Sequence, residues 1–234
     1  TIRDADGDFS TTTITVTING TTDGVPEITI PDANDAAAGH ISIAENATAP
    51  VTGVLTVTAP EGLASVQIGT VEFDVAALEA LNGASRTVAG TEGTLTLTGY
   101  DAATGEISYS YQQTGMAKDH SAGDETVTDT FTVVVTDAAN QSSSDALVVL
   151  ITDTEPDAKP DTAQVTEDTQ LEATGNVITG AGAGDVADEL GADATAVIGV
   201  VKGAADLTQE LEGQVGVELR GEYGWITIGS DAAY

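Results

Sequence analysis

The sequence predicts an all-β protein made of tandem β-sandwich modules. Three observations carry this: period-two alternation of β-branched residues, Gly, Asp and Asn clusters between the alternating runs, and a proline-marked repeat about 130 residues long. Alternation places one set of side chains on the core face of a strand and the other set in water, as in half-buried antiparallel sheets.

Taken in chain order, the first run is Thr13–Ile18, where Ile14, Val16 and Ile18 share one face and threonines the other. Thr94–Leu97 reads the same way. Ile107, Tyr109 and Tyr111 then alternate with Ser108, Ser110 and Gln112. Phe131, Val133 and Val135 alternate with Thr130, Thr132 and, less cleanly, Val134, and Trp225–Ile228 closes the series. One segment breaks the period. Residues 74–82 carry an N-cap candidate in Asp74, good helix formers from Val75 to Leu81, and an Asn82-Gly83 stop. A short helix crossing between strands and covering one end of a sandwich is expected there.

Two stretches repeat. Asp4-Ala5-Asp6-Gly7-Asp8, an alternating strand and Asp23-Gly24-Val25-Pro26 match Asp137-Ala138-Ala139-Asn140-Gln141, a second strand and Asp153-Thr154-Glu155-Pro156. Four of the six prolines fall at two junctions, Pro26 and Pro31, then Pro156 and Pro160. Proline cannot donate to a central ladder and stiffens an extended linker. The expected organisation is therefore 1–24 as the last strand of a preceding or split module, 25–155 as a complete sandwich, and 156–234 as the first part of a following one. In the split version, both ends of the chain complete one sandwich around an inserted module.

Composition narrows the function. Among 234 residues, 38 are acidic and 6 basic, for a net charge of -32. An apolar share of 41% separates the chain from disordered acidic tails. So many carboxylates oppose compaction, and a divalent cation is the simplest counter-charge. Ca2+ takes about six to eight hard oxygen ligands. Cysteine is absent and histidine is limited to His40 and His120, which argues against zinc and disulfides. The charge excludes nucleic acid and anionic membranes as expected partners, and no apolar run is long enough to span a bilayer.

Calcium ligands are expected at three places. In Asp4-Ala5-Asp6-Gly7-Asp8, carboxylates at alternate positions of a tight turn converge, and Gly7 permits the bend. A strand follows instead of a helix and Thr15 stands where an EF-hand has Glu, so this is a loop between strands; a solvated acidic turn is the alternative. Its counterpart keeps only Asp137. The first junction contributes Asp23, Asp32, Asp35 and Glu45, and the second Asp153, Glu155, Asp157, Asp161, Glu167 and Asp168. Acids clustered at a proline-bearing boundary can clamp two modules through shared ions. Asp101, Asp119, Asp124, Asp129 and Asp145 are scattered through the middle unit. Asp119-His120-Ser121 is no triad, because triad residues converge in space and not in sequence. Gly180–Asp185 lacks the ending of a phosphate loop. With no nucleophile elbow and no cysteine, no enzyme is expected.

Thr94–Tyr109, together with Asp119-His120-Ser121 and Thr128–Asp137, resembles stretches in the long repeats of type I secreted, RTX-type bacterial adhesins. The tail, from Gly175-Asn176-Val177-Ile178 through Gly221–Ile228, looks like the start of a VCBS-like or cadherin-like repeat in the same proteins. The resemblance covers most of the chain. It implies Ig-like or cadherin-like sandwiches that are extracellular at the bacterial surface and serve cell adhesion or biofilm formation. It implies calcium at module junctions, neighbouring repeats as partners, and a separate ligand-binding tip. Asp137-Ala138-Ala139-Asn140 departs from the family's more acidic loop. A module that itself binds carbohydrate or protein is the alternative.

Overall fold

The computed structural model describes residues 1–17, 24–34, 39–115, 118, 126–203 and 211–234. The chain is nearly all β. A hairpin of β1 (Ile2–Arg3) and β2 (Phe9–Ser10) comes first. The central unit follows with β3 (Glu27–Thr29), β4 (Ile41–Ala44), β5 (Val51–Thr58), β6 (Leu63–Ile68) and β7 (Val71–Asp74). After helix α1 (Val75–Ala80) come β8 (Arg86–Ala89), β9 (Gly93–Asp101), β10 (Glu106–Gln113), β11 (Thr126–Asp137) and β12 (Ser142–Thr152). Near the end, β13 (Leu219–Arg220) pairs with β14 (Trp225–Ile226).

The central unit is two five-stranded sheets, ordered β3-β5-β10-β9-β8 and β4-β12-β11-β6-β7. Neighbours are antiparallel except β4 and β12, which are parallel. The inward faces of both sheets feed one hydrophobic cluster. On β11, Phe131, Val133 and Val135 are buried, while Thr130 and Thr132 are exposed, as the alternation predicts. Each fully buried Leu, Ile or Phe contributes about 1.5–3 kcal/mol.

Helix α1 lies within the expected 74–82 segment and carries the chain from β7 in one sheet to β8 in the other. The Asp74 carboxylate accepts from the Ala77 amide at 2.8 Å, and Leu78 and Leu81 enter the core. Asn82 ends the element by pairing with Tyr100: its side-chain amide donates to the Tyr100 carbonyl, and its oxygen accepts from the Tyr100 amide, at 2.8 and 3.0 Å.

The pairing registers define two poles. Glu27 pairs with Thr58, and β5 turns through 59–62 into Leu63, which sits opposite Asp137. The chain therefore enters the sandwich at the pole of the Asp137 loop. It leaves at Thr152, paired with Thr126 at the opposite end of β11. Outside this unit, regular structure is sparse. Thr13–Thr17, expected as a strand, joins no ladder among the described residues, and its apolar residues Ile14 and Val16 face water. A lone strand has no neighbour to satisfy its backbone or cover its side chains. Among the described residues, 153–234 carry β13–β14 and four isolated bridges.

Candidate cation sites at the sandwich poles

The exit pole gathers Glu45, Asp153 and Asp193, whose carboxylate oxygens lie within 4.8 Å of one another. The parallel β4–β12 register explains the first two. Thr152 pairs with Ala44, and the Glu45 amide continues the ladder to the Thr152 carbonyl at 3.0 Å, so residues 45 and 153 leave the sheet side by side. Glu45 is fully buried although it is a carboxylate, and burial of a charge is costly unless it is paired or coordinated. Its Oε2 accepts from the Lys118 amide at 3.1 Å and its Oε1 from the Thr154 hydroxyl at 3.3 Å. The same hydroxyl accepts from the Ala192 amide at 3.0 Å, which brings Asp193 in. Gly191 permits that approach, since a side-chain carbon there would overlap the Thr154 carbonyl.

Lys118 reaches this pole but turns its ammonium elsewhere. It lies 3.3 Å from the Glu92 carboxylate and donates to the Glu92 and Thr114 carbonyls. Three carboxylates and a hydroxyl form a hard-oxygen donor set, with no His or Cys in the group. That chemistry suits Ca2+ and not Zn2+.

The second acidic cluster is the β1–β2 turn. Asp4, Asp6 and Asp8 are exposed, with carboxylate oxygens again within 4.8 Å of one another. Asp4 Oδ1 accepts from the Gly7 and Asp8 amides at 3.0 and 2.9 Å, and the Asp4 amide donates to the Asp8 carbonyl at 2.9 Å. The Asp4 carboxyl is held below its ordinary range, first by its hydrogen bond with the Asp6 side chain and further by the amides of Asp8, Gly7 and Asp6. The Asp137 loop has the same frame. Asp137 Oδ1 accepts from the Ala139 and Gln141 amides at 2.9 and 2.8 Å, and its own amide donates to the Gln141 carbonyl at 3.0 Å. Gly7 and Asn140 both adopt positive φ, at 109° and 60°. Where the first loop has Asp6 and Asp8, the second has Ala139 and Gln141. Asp137 is fully buried at the entry pole, far along β11 from Glu45.

The remaining expected ligands are dispersed. Asp23 and Asp35 lie outside the described residues, as do Asp119, His120, Ser121 and Asp124. Asp32 is exposed and accepts from the Asn34 amide. Glu155 and Glu167 are exposed. Asp157 pairs with Lys159 and bridges to Glu189, and Asp161 accepts from the Val186 amide at 2.7 Å. Asp168 takes a positive φ of 64°. Asp193 was missed: its place depends on residues 191–193 docking against Thr154, and only the nearby Gly191 marks a close approach. Sequence reasoning also assigned Glu45 and Asp153 to different junctions, whereas they share one.

The chain matches no protein-family model, no curated protein and no solved structure. Among the described residues, no helix is long and apolar enough to cross a membrane.

Proposed function

We propose that this chain is a calcium-rigidified extender segment of a giant secreted bacterial surface adhesin. Its Ig-like or cadherin-like sandwiches would project a ligand-binding tip, carried outside these residues, for cell adhesion or biofilm formation. The observation that carries the reading is the position of the Glu45–Asp153–Asp193 cluster. It sits at the exit pole and joins two carboxylates of the sandwich to one of the segment that follows. A Ca2+ held there ties that segment to the sandwich, so a pivot becomes a fixed joint. Entry and exit at opposite poles suit a module that transmits length along an array. The Asp4–Asp6–Asp8 loop is the second place for an ion, and the strong negative charge makes the assembled state depend on such ions.

The test is a thermal melt with small-angle scattering, in calcium and in excess chelator. At a hundredfold excess over Kd, one ion stabilises by about 2.7 kcal/mol, or about 5–10 °C in Tm. A longer, stiffer particle in calcium is expected, and Asp193→Asn removes the stiffening while leaving the sandwich folded. Identical melts and profiles in both buffers defeat the reading.

A sugar-binding module is the second reading, favoured by the exposed Tyr223 and Trp225 on the C-terminal segment. Exposed aromatic faces are platforms for sugar rings. Glycan binding abolished by Trp225→Ala would move this reading ahead.

A further inference from the structure

The buried face of β10 runs Ile107, Tyr109, Tyr111 and Gln113, so a polar residue takes the inward position at the end of the strand. Gln113 is 6% exposed. Its side-chain nitrogen crosses between the sheets and donates to the Glu45 carbonyl, and the neighbouring Gln112 donates to the Ala47 carbonyl at 3.3 Å. A carbonyl accepts and cannot donate, so this contact fixes which end of the Gln113 amide is nitrogen. The other end, Oε1, is buried and has no hydrogen-bond partner among the described residues. A buried acceptor left without a donor is costly. The amide that carries it stands against Glu45, one of the three carboxylates of the exit-pole cluster.

We propose that Gln113 Oε1 is a further ligand of the exit-pole Ca2+, supplied by the sheet opposite Glu45; this rests on the calcium reading of that pole. The carboxylates of Glu45, Asp153 and Asp193 and the Gln113 oxygen are all acceptors. The donors nearby are already engaged: the Lys118 amide and the Thr154 hydroxyl with Glu45, and the Lys118 ammonium with Glu92. A bridging water cannot donate to every one of these oxygens, whereas one cation attracts them all. Ca2+ takes amide carbonyls beside carboxylates in its shell. The bond from Gln113 to the Glu45 carbonyl then serves to orient the ligand, as outer-shell partners do in metal sites. Since β10 belongs to one sheet and β4 and β12 to the other, the ion fastens the two sheets together at this pole as well as holding residues 191–193.

The experiment is Ca2+ titration calorimetry on the full chain, with Eu3+ luminescence lifetimes in H2O and D2O to count the waters on the bound ion. Asp6→Asn/Asp8→Asn is present throughout, to silence the β1–β2 turn. Gln113→Met keeps the length of the side chain and removes the oxygen. It is expected to weaken Ca2+ binding about tenfold or more and to admit an additional water to the ion. Gln112→Met, which loses a bond to the same turn, is expected to change neither. With Gln113 intact, Ca2+ is expected to shift the resonance of its side-chain carbonyl carbon, a readout that decides the matter even where Gln113→Met fails to fold. Equal affinity and water count in Gln113→Met, or a carbonyl resonance that Ca2+ leaves in place, overturns the ligand role and leaves the calcium reading standing. No Ca2+ binding, or binding that Asp193→Asn does not weaken, overturns the calcium reading and the ligand role with it.

Discussion

Tyr109 and Tyr111 stand two residues apart on the buried face of β10 and have opposite hydrogen-bonding fates. The Tyr111 hydroxyl donates to Asp129 Oδ2 at 2.9 Å, and the Thr91 amide, Thr91 hydroxyl and Glu92 amide complete that carboxylate's shell. The Tyr109 hydroxyl is buried with no partner among the described residues, packed over Gly53 of β5. Tyr111→Phe therefore removes a bond to a buried charge and is expected to cost about 1.5–3 kcal/mol in chemical denaturation. Tyr109→Phe is expected to be neutral or mildly stabilising, because it deletes a buried polar atom that none of the described residues satisfies. The same burial shapes the alkaline limit. It pushes the Tyr109 phenol from 10.0 up to about 12, and burial with the Asp129 charge raises Tyr111 further. The neutral phenols are thus favoured by the fold. Their contribution is full below pH 10 and falls as pH rises through about 12 for Tyr109. Tyrosinate absorbance and unfolding followed together should show titration of both phenols coupled to loss of the sandwich. Alternation in the sequence indicated that both tyrosines face inward. It was silent on Asp129, an apparently scattered acid whose role depends on the turn that the β8–β9 pairing brings over it.

The pairing of β4 with β12 is the element-scale event that makes the exit-pole cluster. Residues 45 and 153 are distant in sequence, and each was legible as an acid near a junction. Their adjacency was not, because it follows from a parallel register that no local pattern specifies. Docking of 191–193 on Thr154 is the other half of the site. Gly191→Ala is expected to displace that segment without unfolding the sandwich. The unfolding free energy in chelator should stay within about 0.5 kcal/mol of wild type, while the calcium-dependent rise in Tm shrinks or disappears. An unchanged calcium response would place the ion elsewhere. Helix α1, by contrast, was readable almost to its ends, since the Asp74 cap, the Leu78 contact and the Asn82 stop are local features. Thr13–Thr17 shows the limit of such reading. Its alternation is as clear as that of β11, yet it lies outside every ladder among the described residues, because strand propensity needs a neighbour to be realised.

At the scale of the whole molecule, charge and topology act together. A net charge of -32 makes the folded chain repel itself, and screening should raise its Tm modestly with monovalent salt. Calcium at far lower ionic strength should do more, since an ion held between Asp193 and the sandwich carboxylates acts at one point and not as an atmosphere. Equal effects of calcium and monovalent salt at matched ionic strength would reduce the cation's role to general screening. The sequence by itself determined the β class, the inward-facing residues of the long strands, the helix and its cap, and the acidic loops. All of these depend on side-chain period or on bonds between residues a few positions apart. The tertiary structure alone decided which acids meet, which pole the chain enters and which it leaves, and that Asp193 belongs with Glu45. Those outcomes rest on strand order, a parallel register and one close backbone approach at Gly191, interactions between residues far apart in the chain whose pairing no local pattern encodes.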